Sequence, residues 1–341
     1  MLQSAENFPV RRGRIEGGFE DHRGWIPVPV EPTTLQARFY LGDPVSGPLV
    51  WLFFGHPADP AKAEPSPERP PPPHHHRTPT FRIALGEQPR QMLLNNRWHG
   101  KGEYFLLDAN HRYADPNGVA GFSTLLIFAD RRGMHPAMKR TVGMSSDELI
   151  AWNGKLFAPL GAGLAALHTA DDQAVGGVAV EPGGEIAYGQ ARGSLEDPSG
   201  WTRLADGSRV SAVLMGDTAS GPAVVMSVNT PGAREAPAGR CAGDAFRLVT
   251  KGSCRVGDRV YAAGAFVATE AGTEVGEVVH GAEGSTQLLI LADRRRLAPL
   301  DATGAPAVAP RLNEVAAVLA GAGQAPAKPP LSPPGRRTPS G

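Results

Sequence analysis

At 341 residues, with 34 basic and 34 acidic side chains and a formal charge of zero, the chain has room for two ordinary domains and no net field to draw nucleic acid or an anionic membrane. Gly at 42 and Pro at 33 suit short strands joined by tight turns and argue against a helical fold. Cys241 and Cys254 stand in no close metal-binding spacing, and neither an apolar leader nor an apolar run of ~18 residues occurs, so a reduced, cytoplasmic setting without nucleic-acid or membrane partners is expected.

In chain order, residues 1–37 read as an N-terminal arm, ending in Gly24-Trp25-Ile26-Pro27-Val28-Pro29-Val30, whose alternating prolines favour an extended edge laid on the first domain. Residues 38–136 form the first domain. Its strands are predicted at Leu49–Phe54, Phe81–Leu85, Glu103–Leu107 and Thr124–Phe128, with turns at Asn95-Asn96 and Pro116-Asn117-Gly118. A Pro-rich loop over 57–73 precedes His74-His75-His76. Residues 137–211 link the domains and hold a short helix and strands of the second barrel, and Ser145-Ser146-Asp147-Glu148 has the pattern of a capping box that starts the helix. The second domain covers 212–299. A helix over Asn313–Leu319 within 300–323, with Asn313 as cap and Gly321 past its end, and a disordered tail over 324–341 complete the chain.

The second domain repeats the first. Thr124-Leu125-Leu126-Ile127-Phe128-Ala129-Asp130-Arg131-Arg132 recurs as Gln287-Leu288-Leu289-Ile290-Leu291-Ala292-Asp293-Arg294-Arg295, and three shorter matches precede it in the same order: Leu41-Gly42-Asp43 with Met215-Gly216-Asp217, Phe81-Arg82-Ile83 with Phe246-Arg247-Leu248, and Gly102-Glu103-Tyr104 with Gly264-Ala265-Phe266. One folding unit is used twice. The first copy carries His74-His75-His76 where the second carries Gly239-Arg240-Cys241.

Two β-rich copies, each running from a Pro-flanked segment through a Phe-led strand and a Gly turn to a final apolar strand, with His-x-His in the first, resemble the cupin superfamily in its two-domain form. The resemblance implies an all-β fold of two cupin-type β-barrels (double-stranded β-helices) in tandem, joined by a short linking helix. It also implies one divalent metal, Fe, Zn, Ni or Mn, held by two histidines two apart, a glutamate four residues on, and a third histidine from a Pro-x-Gly-x-x-His motif. His74 and His76 match the first pair and, two apart on a strand, would share one face. The glutamate position falls at Thr80, a poor ligand, and Asp108-Ala109-Asn110-His111-Arg112-Tyr113 matches the second motif with Tyr113 where the histidine belongs. His111 lies two residues earlier and faces the same way, which leaves a set of His74, His76 and His111, with Tyr113 as weak ligand or proton donor. The competing reading is a mobile surface loop of histidines that meets metal adventitiously.

The equivalents in the second copy, Gly239, Cys241, Ala245 and Val275, hold no metal, so that domain reads as a structural or binding partner. By strand parity Arg82 turns toward the barrel interior if its strand is unbroken, where it would need a substrate carboxylate or an internal acid. The simpler reading is a bulge or strand end that lets it reach water. The repeated Asp-Arg-Arg reads as a shared turn or an inter-domain ion pair, and Trp51, Phe53, Trp98 and Tyr104 as core aromatics. Cys254, with no histidine in its vicinity to activate it, reads as a packed thiol and not a nucleophile. The function expected is a bicupin acting on a small molecule at a metal in the first barrel, as an oxygenase, isomerase, cyclase or lyase, with Arg82 orienting an anionic substrate. The alternative is a catalytically inactive bicupin that binds a small ligand or a protein partner.

Overall fold

A computed structural model of the chain describes residues 8–19, 21–28, 31–44, 46–55, 78–87, 91–94, 97–109, 122–134, 192–217 and 219–322, with short pieces at 3–4, 74–76 and 137–138. The loop over 57–73, the turns at Asn95-Asn96 and Pro116-Asn117-Gly118, the capping box at Ser145 and the tail from 324 lie outside these residues, as do His111 and Tyr113.

The strands that build the molecule are β1 (Arg14–Gly18), β2 (Ile26–Val28), β3 (Glu31–Tyr40), β4 (Leu49–Gly55), β5 (His74–His75), β6 (Thr80–Ala84), β7 (Glu103–Leu107), β8 (Ser123–Phe128), β9 (Ala137–Met138) and β10 (Arg192–Ser194) up to the second repeat. They continue as β11 (Arg209–Leu214), β12 (Ala223–Asn229), β13 (Arg234–Ala236), β14 (Gly239–Arg240), β15 (Ala245–Val256), β16 (Ala265–Thr269), β17 (Glu274–Val275) and β18 (Val278–Leu291), followed by helix α1 (Pro310–Ala322). The two main sheets have the same antiparallel order, β3-β4-β8-β6-β7-β10 and β11-β12-β18-β15-β16-β1. The duplication extends to single pairs: Ala137 faces His75 between β5 and β9, and Leu300 bridges Arg240 at the equivalent place.

The near-continuous apolar runs follow from burial on both faces. In β4, Val50 and Leu52 join a core shared by both repeats, while Leu49 and Trp51 face the inside of the first barrel with Tyr40, Leu126 and Phe128. The shared core brings Phe39 to 5.2 Å from Phe246 and 5.1 Å from Phe266, so the barrels pack sheet against sheet. Tyr104 belongs to this core, and Trp51 stacks on Phe53 at 4.6 Å, as expected of core aromatics. The arm divides between the barrels: β2 pairs with β3 of the first, as expected, but β1 pairs with β16 and forms the edge of the second sheet.

The repeated Asp-Arg-Arg is structural. Arg131 donates from Nε to the Gly47 carbonyl at 3.0 Å and from Nη2 to Leu41 at 2.6 Å; Arg294 donates from Nε to Gly221 at 3.0 Å and from Nη2 to Met215 at 2.6 Å. Each arginine clamps the turn of its own repeat, satisfying buried carbonyls, which accounts for the recurrence of both motifs together. Helix α1 begins earlier than the expected cap at Asn313. Pro310, whose missing N–H costs nothing in a first turn, opens it, Asn313 donates its backbone N–H to Ala309, and Gly321 lies inside the last turn.

Candidate functional site

In the first barrel, strand β6 is unbroken. Arg82 faces Leu126 across one ladder and Phe105 across the other, so its side chain points inward and is 4% exposed. The reading in which a bulge carries it to water is thereby corrected: β6 is a central strand paired on both sides, which leaves no irregularity to turn it out. Its Nη1 lies 3.6 Å from the sulfur of Met92. His76 is 7% exposed and sets its ring edge-on to Phe128, centroids 4.9 Å apart, against the same interior face. His74 is placed by its backbone in β5, paired with Met138. The Thr80 hydroxyl donates to the Thr78 carbonyl at 3.3 Å and so is occupied within the backbone. The structure thus brings His76 and Arg82 to one interior, leaves the His74 side chain undescribed, and does not include His111 or Tyr113.

The second barrel shows what these positions do when assembled. Cys241, Ala245, Arg247 and Val275, the equivalents of His76, Thr80, Arg82 and Tyr113, all line one cavity of about 90 Å³, and Gly239 faces Val275 across the β14–β17 pair. Where that cavity is bounded by Val267 and Leu291, the first barrel carries Phe105 and Phe128, which occupy more of its interior.

The cavity has a charged floor. Glu235 accepts from Arg247 twice, Oε1 from Nη2 at 2.7 Å and Oε2 from Nη1 at 3.0 Å, and Arg247 Nη1 also donates to Gln287 Oε1 at 2.7 Å. The Gln287 amide returns a hydrogen bond to Glu235. His280, 2% exposed, places Nε2 3.4 Å from Glu235 Oε2 and shares a hydrogen at 2.9 Å between Nδ1 and Ser285 Oγ. Asn229 continues the chain to Ser285 and accepts from Arg311 of α1, which also pairs with Asp206. Burial by itself would raise the Glu235 pKa, but the Arg247 charge, the neighbouring His280 and the Arg247 hydrogen bonds outweigh it, and the carboxyl is held well below its ordinary range. Burial would lower the Arg247 pKa, and the Glu235 charge and hydrogen bonds outweigh this and raise it.

Sequence reading missed Glu235, His280 and Gln287. The need of an inward arginine for an internal acid was legible, but several acids in the second repeat could have met it. Gly252 and Gly284, with φ of 68° and 74°, and the register shifts at Val249/Lys251 and Gly252/Cys254 bend β15 and β18 and change the parity of every residue beyond. That bend makes His280 the cross-strand partner of Cys254, so a histidine does stand near this thiol. Cys254 is still a packed thiol: it is fully buried, and burial pushes its pKa up.

The second barrel does not fit a metal. Of its four equivalent positions only Cys241 bears a donor, and its thiol is turned to the Gly243 carbonyl and kept protonated by burial. The first barrel offers imidazole nitrogen at His76 on a buried interior face, chemistry that borderline divalent ions accept, alongside the cation of Arg82. Among the described residues no group of three or more His, Cys, Asp or Glu is placed around one point.

No model of a known protein family matches the chain, and no curated protein matches it. Among solved structures it is similar to a deletion mutant of the Bacillus subtilis oxalate decarboxylase OxdC, at 14% identity and TM-score 0.43, over 82% of this chain and 76% of that one. It is also similar to protein Ylba from E. coli, at 11% identity and TM-score 0.44, over 84% and 93% of the two chains. A third similarity is to the 11S allergen of Cocos nucifera, at 11% identity and TM-score 0.42, over 79% and 86%. In its duplicated six-strand order, its short paired strands at the equivalent histidine positions and its sheet-on-sheet core, the chain has the two-domain cupin fold.

Proposed function

We propose that this bicupin acts on a small molecule at a divalent metal in its first barrel, held by His74, His76 and His111. The observation that carries the reading is the second repeat, where the positions equivalent to His76, Arg82 and Tyr113 converge on one cavity. The inward His76 and Arg82 are consistent with the same convergence in the first. A bound Fe, Zn, Ni or Mn ion would supply Lewis acidity or redox chemistry. Arg82 would hold an anionic group of the substrate, Tyr113 would hold or release a proton at its phenolic oxygen, and Phe105 and Phe128 would keep water from the reacting group. The two free thiols accord with a cytoplasmic setting, and among the described residues no helix is long and apolar enough to cross a membrane. Elemental analysis of untagged protein is expected to find stoichiometric divalent metal in the wild type and none in the His74→Ala/His76→Ala variant; equal metal in both would remove the proposal.

Two observations favour a second reading, a bicupin that binds without turnover. The Thr80 hydroxyl, at the glutamate position, is committed to the backbone, and Arg82 places a positive charge on the face where the ion would sit. A tight ligand whose affinity ignores chelators would select this reading over the first.

A further inference from the structure

We propose that the second barrel is a metal-independent binding site for a small monocarboxylic acid with a short apolar body, its carboxylate received by Arg247 and Arg296. This rests on residues of the second repeat alone and stands whether or not the first barrel holds an ion.

Three features define the ligand. The first is charge: Arg247 and Arg296 line the cavity with Glu235 as the acid opposed to them, a local balance of one positive charge, and an anion completes it. Asp293 offsets Arg296 only in part, because its carboxylate is held chiefly by Arg295 at 2.6 Å and pairs with the Arg296 Nε more loosely, at 4.0 Å. The second is donor geometry. Glu235 and Gln287 take both hydrogens of Arg247 Nη1 and one of Nη2, and among the described residues the other Nη2 hydrogen and the Nε hydrogen meet no acceptor. A guanidinium edge with two outward hydrogens matches one carboxylate. The third is size and polarity. About 90 Å³ is well below the roughly 300–1,000 Å³ of drug-sized sites, and walls of Val267, Val278, Leu289, Leu291 and Leu312 suit a body of a few carbon atoms. Arg296, with its side chain 54% exposed, stands at the open end, whereas Arg247 is buried, so an incoming acid meets one cation before the other.

The arrangement replaces a metal by a guanidinium. Where a cupin of the metal-binding type would place ligands around an ion, this barrel has Gly239, Cys241, Ala245 and Val275, and its central positive charge is Arg247, fixed by Glu235. Gln287 donates to the carboxylate of Glu235 and His280 stands beside it, so the pair with Arg247 is fixed from the side away from the remaining guanidinium hydrogens.

The test uses the full-length protein with butyrate and butyramide as probes, followed by isothermal titration and by ligand NMR. Butyrate is expected to bind, butyramide to bind about tenfold or more weakly, and EDTA to change neither. Arg296→Gln, a change at an exposed side chain, is expected to weaken butyrate about tenfold with an unchanged melting temperature. Ala245→Leu, which fills the cavity, is expected to abolish binding, and His74→Ala/His76→Ala to leave it intact. Equal binding of acid and amide, loss of binding with EDTA or in the first-barrel variant, or full affinity in Arg296→Gln would each overturn the proposal.

Discussion

Glu235 illustrates how one carboxylate can hold a barrel interior together. It neutralises Arg247, receives the Gln287 amide and stands beside His280 in the interior of the second barrel. Removing one partner of a buried pair strands the other, so Glu235→Gln is expected to lower unfolding free energy by about 3–5 kcal/mol in urea at neutral pH. Replacing both partners by apolar residues, Glu235→Leu with Arg247→Met, should return most of that loss; a single substitution as harmless as the double would refute the reading. The pH dependence follows from the depressed carboxyl. Its ordinary value is 4.5 and its folded value lies well below, so its contribution is complete above the ordinary value and is lost as pH falls toward the folded one. The Glu235→Gln variant should therefore lack part of the wild-type stability drop below about pH 4. Arg247 could be suspected of an inward orientation from strand parity; its partner could not, because Glu235 reaches it from a different strand across a bend.

At the scale of elements, the long strands β15 and β18 stay paired on both sides of two register shifts and change direction between them. A side chain at Gly284 would bring its Cβ 2.2 Å from the Asn229 carbonyl, and one at Gly252 the same distance from the Gly284 carbonyl, both at positive φ. Gly284→Ala is expected to cost about 1–3 kcal/mol or more from backbone strain and the clash together. Gly232→Ala, also at positive φ but with open space around it, should cost only about 1 kcal/mol. Comparable denaturation midpoints for the two would show that the bend tolerates a side chain. Helix α1 belongs to the same structure: Leu312, Val315 and Leu319 are buried, Val315 and Leu319 pack on Val225 and Leu291 of the second sheet, and Arg311 reaches inward to Asn229. Its apolar spacing was readable, whereas its start was misplaced because Asn313 is a good cap only where the preceding residue is not already helical.

For the whole molecule, the arm ties the repeats together. Strand β1 supplies the outer edge of the second sheet, and Phe8 lies 5.4 Å from Phe39 and 5.9 Å from Phe266, touching both barrels. Deleting residues 1–24 removes this edge and its buried Ile15, so hydrogen exchange in β16 is expected to accelerate more than in β7, whose neighbours β6 and β10 remain. Equal acceleration in both, or none, would count against the arm as part of the second barrel. The duplication, the all-β character and the turn-forming repeats follow from residue order, because strand period and turn chemistry are local and two copies check one another; strand parity left Arg82 open between interior and water and His76 open between barrel and surface loop, and the burial of both was decided by the fold. Which barrel the arm joins, which acid meets Arg247 and how His280 comes beside Cys254 were decided only by the tertiary structure. Each depends on contacts between residues far apart in the chain, and on glycine bends after which the alternation of faces no longer carries over.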